Sequence, residues 1–474
     1  MTLNSCLRFV QDNLPTCRGL QRRAGISGRV VGKSAAGWFA MLFALFTLQL
    51  MSFAVSAVPS MGRQTGMPCS ACHTVFPELT PFGRQFKLRA FSMSTPKAED
   101  ASIFDKIPIS ALLQVSRTAT KNTDTPGATS DSFPRDRQTI VQAAGFYYGG
   151  KITDQSGALI QYNYDGIERR WGMEMFDARY AGTATVGKEL IYGVTLNNNP
   201  TVSDIYNSTP AWSFPHAGSP ALMPASTLVD MTLASQVGGV GAYALWDNLL
   251  YAEFAVYRTA RNGIFRPLGA GKPTDTVVDG YAPYWRLALQ KELGPHSVSI
   301  GTYGLIGKVY SDRNDFSLGS DRFRDIAIDG QYQFIDGDHT FSTHATLVRE
   351  KQDWNSSFGQ GLTSNASSTL KTFKADAHYW FKRQWGGGVQ YFDVRGGADD
   401  LRYNTGEAVM GSANGSPNSK GYIAELNYLP LQNIKLALRY TGYRQFNGSR
   451  DNYDGFGRNA KDNNSVYLLA WFLF

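Results

Sequence analysis

Cysteine is scarce in this chain. There are four cysteines in 474 residues, and two of them, Cys6 and Cys17, lie in a basic N-terminal region. The remaining pair is Cys69 and Cys72. A framework of several disulfides is therefore excluded, because it needs more thiols. A four-thiolate metal site beyond residue 57 is excluded for the same reason.

Excess charge of one sign is also missing from most of the chain. The formal net charge is +7, but residues 1–57 hold six basic residues and one aspartate, a balance of +5. The rest of the chain therefore carries only +2. Because binding to nucleic acid depends on clustered basic side chains, we expect no nucleic-acid partner.

Long apolar runs are equally rare, and the one such run covers residues 35–57. It follows the basic stretch and ends in Val55, Ser56 and Ala57, a small-residue pattern that signal peptidases cut. The pattern predicts a signal peptide over residues 1–57, with cleavage before Val58. A retained membrane anchor is the alternative interpretation.

From Ile109 onward, apolar residues alternate with polar ones. In one segment, Ile326 and Ile328 alternate with Asp325 and Asp329. A period of two is typical of β-strands with one apolar and one polar face. The 48 glycines, 24 tyrosines and 28 phenylalanines suit membrane strands. We therefore predict an all-β fold.

The linkers between these segments alternate between short and long from residue 107 to residue 474. A soluble β-sandwich is the alternative, but its strands are usually only about five or six residues long. Short turns at one end, long loops at the other and an even strand number are typical of bacterial outer-membrane proteins. We predict a transmembrane antiparallel β-barrel of about 16 strands, embedded in outer-membrane lipid with both termini in the periplasm.

The pair Cys69 and Cys72 is followed directly by His73. Two thiols at this spacing can each bond to a vinyl group of one haem, and the adjacent imidazole can ligate the iron. A zinc half-site and a thioredoxin-like redox pair are the alternatives, but neither further zinc ligands nor a βαβ pattern is evident. The motif predicts one covalent haem c, with His73 as the proximal ligand.

Residues 58–106 are too few for a full cytochrome core, since so small a domain buries little surface. We expect a haem-bearing plug at or inside the periplasmic mouth of the barrel, whose lumen is wide enough to hold one. Thr80 and Pro81 predict the start of a helix, after which Phe82 and Phe86 share a face that could cover the haem.

Several further residues are candidate haem contacts. Arg84 and Lys87 could bind the propionates, although solvated or lumen-facing charges are an equal alternative. Met93 is the local candidate for the sixth iron ligand, with ordinary packing as the alternative. His344 and His378 are rival ligands, because both fall on the polar parity of their strands.

A wider pattern surrounds the motif: Arg63, Gln64, Thr65, Gly66 and Met67 precede it, and Pro77, Leu79, Phe82, Gly83, Arg84, Phe86 and Lys87 follow it. This pattern resembles the fused cytochrome-porins of iron-oxidising bacteria. The resemblance implies one haem c in a short N-terminal domain joined to an outer-membrane barrel, with electron uptake from ferrous iron outside the cell. Met61 and Gly62 stand where that family is expected to have an aromatic residue and an alanine, which leaves the electron donor open.

We therefore expect an electron-transfer protein that acts as an iron oxidase. Its haem would accept electrons from extracellular Fe(II) and pass them to a periplasmic cytochrome. Two alternatives stay open: a diffusion porin that the haem segment plugs or gates, and a conduit that exports electrons to an extracellular acceptor. The main hypothesis requires no acid–base or nucleophilic residues.

Overall fold

The computed structural model describes residues 59–75, 78–96, 107–208, 214, 217–259 and 276–474. The predicted signal peptide, residues 1–57, lies outside them. The helices are α1 (Pro59–Thr65), α2 (Cys69–Cys72), α3 (Pro81–Leu88), α4 (Pro200–Ser203) and α5 (Asp400–Tyr403). Within the described ranges, no helix is both long enough and apolar enough to cross a membrane.

Sixteen antiparallel strands form a closed barrel in which each strand pairs with its neighbours in sequence and β1 pairs with β16. The strands are β1 (Ile109–Thr120), β2 (Thr139–Thr153), β3 (Ser156–Asp165), β4 (Arg170–Val186), β5 (Lys188–Asn197), β6 (Gly238–Trp246), β7 (Leu250–Arg258), β8 (Ala282–Leu293), β9 (His296–Tyr310), β10 (Ser320–Asp336), β11 (His339–Asp353), β12 (Ser367–Phe381), β13 (Trp385–Gly396), β14 (Ser419–Leu431), β15 (Ile434–Gln445) and β16 (Ser465–Leu473). The predicted all-β barrel and its strand number are confirmed.

The period of two separates an apolar outer face from a polar inner face. On β10, Ile326 and Ile328 are 55% and 52% exposed, whereas Asp325 and Asp329 are each 5% exposed. Successive side chains of a strand point to opposite faces. The exposed face of the barrel is therefore the apolar one, as a lipid-facing surface requires.

Short turns join the strands at one end of the barrel and mostly longer loops join them at the other. The turns cover residues 154–155, 187, 247–249, 294–295, 337–338, 382–384 and 432–433, and the loops cover 121–138, 166–169, 198–237, 259–281, 311–319, 354–366, 397–418 and 446–464. This confirms the predicted alternation. β1 begins and β16 ends at the short-turn end, so the first and last residues of the barrel lie on the same side.

The described residues of the long loop at 198–237 include several that pack against the inner wall of the barrel. Tyr206 is fully buried, and its hydroxyl donates a hydrogen bond to Gln290 Oε1 on β8 at 2.9 Å. The backbone N–H of Val229 donates to Asp325 Oδ2 on β10 at 2.7 Å. The loop therefore covers polar side chains of the inner wall and supplies hydrogen bonds to Gln290 and Asp325 inside the lumen.

Candidate functional site

The described part of the N-terminal segment, within residues 59–96, lies at the short-turn end of the lumen. Its hydrogen bonds to residues at or beside the short turns join Gln64 to Lys151, Cys69 to Gln432, Ser70 to Arg383, Gln85 to Asn248 and Arg89 to Glu189. These partners belong to hairpins on different sides of the barrel. The segment therefore occupies the mouth that the short turns surround.

The helical turn α2 carries both thiols of the motif. The backbone N–H of His73 donates to Cys69 O at 3.0 Å and ends this turn. Thr80 makes two hydrogen bonds to this turn: its N–H donates to Cys72 O at 2.9 Å, and its hydroxyl donates to Ala71 O at 2.6 Å. The local hydrogen bonds thus fix the spacing of the two thiols and the imidazole.

Helix α3 packs directly on the motif. Its predicted start is confirmed, because Thr80 Oγ1 accepts a hydrogen bond from Gly83 N at 3.0 Å and Pro81 occupies the first turn. A Cβ atom built on Gly83 would lie only 2.1 Å from Cys72 O. Only glycine therefore allows the helix to approach the backbone of the cysteine turn this closely.

Cys69, Cys72 and His73 line a cavity of about 480 Å³ inside the barrel. Cofactor pockets commonly measure roughly 300 to 1,000 Å³. Other lining residues are Met61 and Phe86 from the N-terminal segment, Leu159, Gln161 and Met175 from the strands, and Trp471 from β16. The motif and the barrel wall thus enclose one space together.

Two interruptions in the strand pairing bring extra side chains to this cavity. Gln114 and Val115 pair with Ala143 and Val141, which leaves Gln142 as the extra residue of a β-bulge. The pairing between β3 and β4 leaves Glu174 extra in the same way. Gln142 and Glu174 both line the cavity, and bulges commonly redirect side chains beside functional sites.

Burial changes the acidity of two groups at the cavity. It raises the pKa of the Cys72 thiol to about 11, so this group is a neutral thiol at pH 7. Burial and the nearby Arg179 guanidinium lower the pKa of Lys87 to about 8. Lys87 Nζ donates to Val202 O at 2.5 Å and lies 3.8 Å from Asp177 Oδ2. Lys87 therefore keeps a cation at the cavity at neutral pH.

Arg84 and Met93, two predicted haem contacts, are not among the residues that line the cavity. Arg84 is 2% exposed and donates to Ser297 Oγ at 2.9 Å and to Gln331 Oε1 at 3.2 Å. The Met93 carbonyl accepts a hydrogen bond from Gln64 Nε2 at 2.8 Å. Arg84 thus ties the segment to the barrel wall, whereas Lys87 lines the cavity, and the propionate contacts of both residues stay predictions.

The rival ligands His344 and His378 also stand apart from the cavity lining. Their predicted inward orientation is confirmed, since their side chains are 10% and 5% exposed. Asp376 Oδ1 lies 2.9 Å from His344 Nδ1 and 2.9 Å from His378 Nε2. Glu78 Oε1 lies 3.5 Å from His344 Nε2. Both histidines thus belong to a cluster apart from the cavity, and their role as haem ligands stays a prediction.

Sequence reasoning did not find Met61 or Met175, whose side chains line the cavity. Met61 lies in α1, and Met175 lies on β4 opposite Gln161. A thioether is a possible iron ligand in cytochromes c. The inward parity of β4 was the available signal for Met175, but a β-bulge at Glu174 interrupts that parity and hides it.

No protein-family model matches the chain, and no curated protein matches it either. Among solved structures, it is similar to OmpF of Salmonella typhi in complex with daunomycin, at 12% identity and a TM-score of 0.41 over 77% of this chain and 97% of that one. It is also similar to the outer-membrane channel DcaP of Acinetobacter baumannii, at 10% identity and 0.42 over 77% and 96%. It is similar as well to an anion-selective porin from Comamonas acidovorans, at 11% identity and a TM-score of 0.40 over 77% of this chain and 98% of that one. At these values the similarities carry no argument about function.

Proposed function

We propose that this chain is a bacterial outer-membrane electron-transfer protein. In this proposal, one covalent haem c accepts electrons from extracellular Fe(II) and passes them to a periplasmic cytochrome. The observation that carries the proposal is the common position of Cys69, Cys72 and His73 on the wall of one cavity inside the barrel. When bound, the haem would supply one-electron redox chemistry within the lumen.

The residues around the cavity fit a haem. Phe86, Leu159 and Trp471 supply apolar and aromatic wall area, which suits a porphyrin. Lys87 supplies a cation for a propionate. Met61, Met67 and Met175 line the cavity, and of these Met61 and Met175 are the candidate sixth ligands, because Met67 is only two residues before Cys69. Methionine ligation raises the potential of a haem, and a high potential favours electron uptake from Fe(II).

The surface of the barrel supports the membrane assignment. Its outward side chains are apolar, as those of Ile326 and Ile328 illustrate. In bacterial outer-membrane barrels, short turns face the periplasm and long loops face the outside. The motif then lies at the periplasmic mouth, where a soluble cytochrome can approach. The cavity continues to Asp165 and Ile167 beside the long-loop end, which shortens the path from an external donor.

The described residues of the N-terminal segment and of the loop fill part of the lumen, which supports the electron-transfer proposal. The N-terminal segment occupies the short-turn mouth, and the loop at residues 198–237 packs against the inner wall between the two ends. An electron can cross such packed side chains over short distances, whereas a hydrated solute needs an open path. A diffusion porin gated by the segment is the second candidate function, and a closed barrel of this size is the observation that favours it.

The test uses the purified full-length protein after cytochrome maturation. A pyridine haemochrome assay should give one haem per chain, and anaerobic Fe(II) should convert the oxidised spectrum to the reduced one. The double variant Cys69→Ala/Cys72→Ala should lose both signals. The matched control Ser70→Ala changes a residue between the two thiols and should keep both.

A wild-type protein without haem would contradict the proposal as a whole. A haem that Fe(II) does not reduce would contradict the donor alone, and a low midpoint potential would favour electron export. Solute flux through proteoliposomes that is equal in the wild type and the double variant would instead support the diffusion porin.

A further inference from the structure

A second group of metal-binding side chains lies outside the haem cavity. Glu78, His344 and His378 place one potential ligand atom each within 4.8 Å of one another. Glu78 comes from the segment between the motif and α3, whereas the two histidines stand on the neighbouring strands β11 and β12. The group therefore joins the N-terminal segment to the barrel wall.

The separation between two of these ligands is that of metal co-ligands. Glu78 Oε1 and His344 Nε2 lie 3.5 Å apart, which is long for a direct hydrogen bond. Two ligands at about 2.0 to 2.1 Å from a tetrahedral metal ion lie roughly 3.3 to 3.4 Å apart. The present distance therefore needs only a small adjustment to hold an ion.

The neighbours of His344 indicate which ring nitrogen carries the hydrogen when the imidazole is neutral. The Arg84 guanidinium can only donate hydrogen bonds, so Gln331 turns Oε1 toward it at 3.2 Å. The Gln331 amide nitrogen then faces His344 Nε2 at 2.5 Å and donates to it. A neutral His344 in this arrangement carries its lone pair on Nε2 and donates Nδ1–H to Asp376 Oδ1, which lies 2.9 Å away.

This tautomer is the one that metal binding requires. A metal-ligating histidine usually donates its other ring N–H to a carboxylate, which orients the ring and raises its basicity. Asp376 Oδ1 stands in that position for His344, and it also contacts His378 Nε2 at 2.9 Å. One carboxylate oxygen therefore contacts both imidazoles of the group, and His378 would offer Nδ1 as its ligand atom when Nε2–H donates to Asp376.

The charges of the group also favour a cation. Glu78 is 1% exposed, and the side chain of Asp376 is 11% exposed. If the two imidazoles are neutral, these two buried carboxylates leave negative charge in the group. Buried charge is costly unless it is compensated. A divalent cation would complete the balance, and protonation of the histidines is the competing explanation.

We propose that Glu78, His344 and His378 bind one divalent first-row transition metal ion, with Asp376 as the carboxylate that orients the histidines. Two histidines and one carboxylate are a ligand set that Zn(II) and Fe(II) both accept. On binding, the Gln331 amide exchanges its hydrogen bond to His344 for one to Glu78 Oε1, from which it is now 3.5 Å away. The ion thereby fastens the segment that carries His73 to the barrel wall.

The experiment measures Zn(II) binding to the purified full-length protein by equilibrium dialysis and elemental analysis. We expect one zinc ion per wild-type chain beside the haem iron. His344→Gln and Glu78→Gln should each weaken binding at least tenfold, and Asp376→Asn should weaken it roughly 10- to 100-fold. His339→Ala is the matched control, because His339 lies on the same strand in contact with the exposed Tyr379, and it should bind zinc as the wild type does.

Folding and haem attachment are measured separately in each variant, by the heat-dependent gel mobility of the barrel and by pyridine haemochrome. The zinc site does not depend on the proposed haem, so Cys69→Ala/Cys72→Ala should still bind one zinc ion. Wild-type protein without stoichiometric zinc would overturn the inference and leave protonated histidines as the explanation. Full zinc binding by the folded His344→Gln and Glu78→Gln variants would overturn it as well.

Discussion

Replacing Gly83 with alanine should open the cysteine turn. The new Cβ would lie 2.1 Å from Cys72 O, 3.0 Å from Cys72 C and 3.1 Å from Cys72 Cα. Since all three are backbone atoms, no side chain can rotate to make room, and α3 must move by about 0.9 Å merely to restore a 3.0 Å separation. Such a movement displaces Phe86 and Lys87, which line the cavity.

The magnitude follows from two opposing effects. Overpacking costs about 1 to 3 kcal/mol, whereas alanine in place of a helical glycine returns about 1 kcal/mol. The net loss is therefore up to about 2 kcal/mol, and each 1.4 kcal/mol changes a local opening equilibrium about tenfold. Because the clash is with backbone atoms that cannot rotate away, we take the upper part of this range, about 1 to 2 kcal/mol, and expect the turn around Cys72 to open about 5- to 30-fold more often in Gly83→Ala.

The assay is the rate of Cys72 alkylation in folded protein prepared without haem, read by mass spectrometry of the Cys72 peptide. At pH 8, a thiol with a pKa of about 11 is only about 0.1% ionised, whereas an ordinary cysteine is roughly a quarter ionised. Wild-type alkylation should therefore be at least about tenfold slower than that of an exposed thiol, because the higher nucleophilicity of a less acidic thiolate offsets only part of the smaller ionised fraction. Gly83→Ala should raise it in proportion to opening.

Gly397→Ala is the matched control, since nothing lies within 4 Å of a Cβ built at that position, and it should leave the rate unchanged. An unchanged rate in Gly83→Ala would refute the direct packing of α3 on the motif. The same conclusion would follow if wild-type Cys72 reacted as fast as an exposed thiol.

Three further predictions concern the N-terminal segment and the cavity that it lines. Thr80→Ala removes the side-chain cap of α3 and should destabilise the docked segment by about 1 kcal/mol, which faster proteolysis of the segment would show. Thr80→Ser keeps a hydroxyl at the cap position, so equal proteolysis rates in the two variants would argue against the cap. Burial and Arg179 lower the pKa of Lys87 to about 8 in the folded protein, so the unfolded chain binds more protons above that pH, and the free energy of unfolding should rise from about pH 8 toward the ordinary lysine pKa of about 10.4. Lys87→Met should flatten this pH dependence in denaturant titrations. An unchanged slope in that variant would contradict the lowered pKa. Met175→Leu should remove the near-infrared band of ferric methionine-ligated haem and lower the midpoint potential, while Met93→Leu should leave the band and the potential unchanged. Loss of the band in Met93→Leu but not in Met175→Leu would favour Met93 as the sixth ligand.

The sequence determined those features that depend on neighbouring residues. Alternation at a period of two, as at Asp325 and Ile326, decides which face of a strand meets lipid, because side chains point alternately to opposite faces. The alternation of short and long linkers decides the sidedness of the barrel in the same way. The haem motif and the Thr80 cap are likewise readable, since each is completed within three or four residues.

Only the tertiary structure decided what the lumen contains. Glu78 and His344 are distant in sequence and meet because the N-terminal segment enters the barrel beside β11. Arg84 contacts Gln331 and Ser297 rather than the haem cavity for the same reason. A charged side chain on a short helix carries no local signal of the strand that it will face, since closure of the barrel selects that strand.

The wall of the cavity shows the same limit from the side of the strands. The extra residues Gln142 and Glu174 shift the pairing of β2 and β4, and a bulge has no distinctive sequence when the extra residue is not glycine. Met175 on a strand and Met61 on a helix therefore line the same cavity, an arrangement that no periodicity predicts. Local chemistry in the sequence determined the motif and the barrel, whereas long-range packing alone decided which side chains surround the motif.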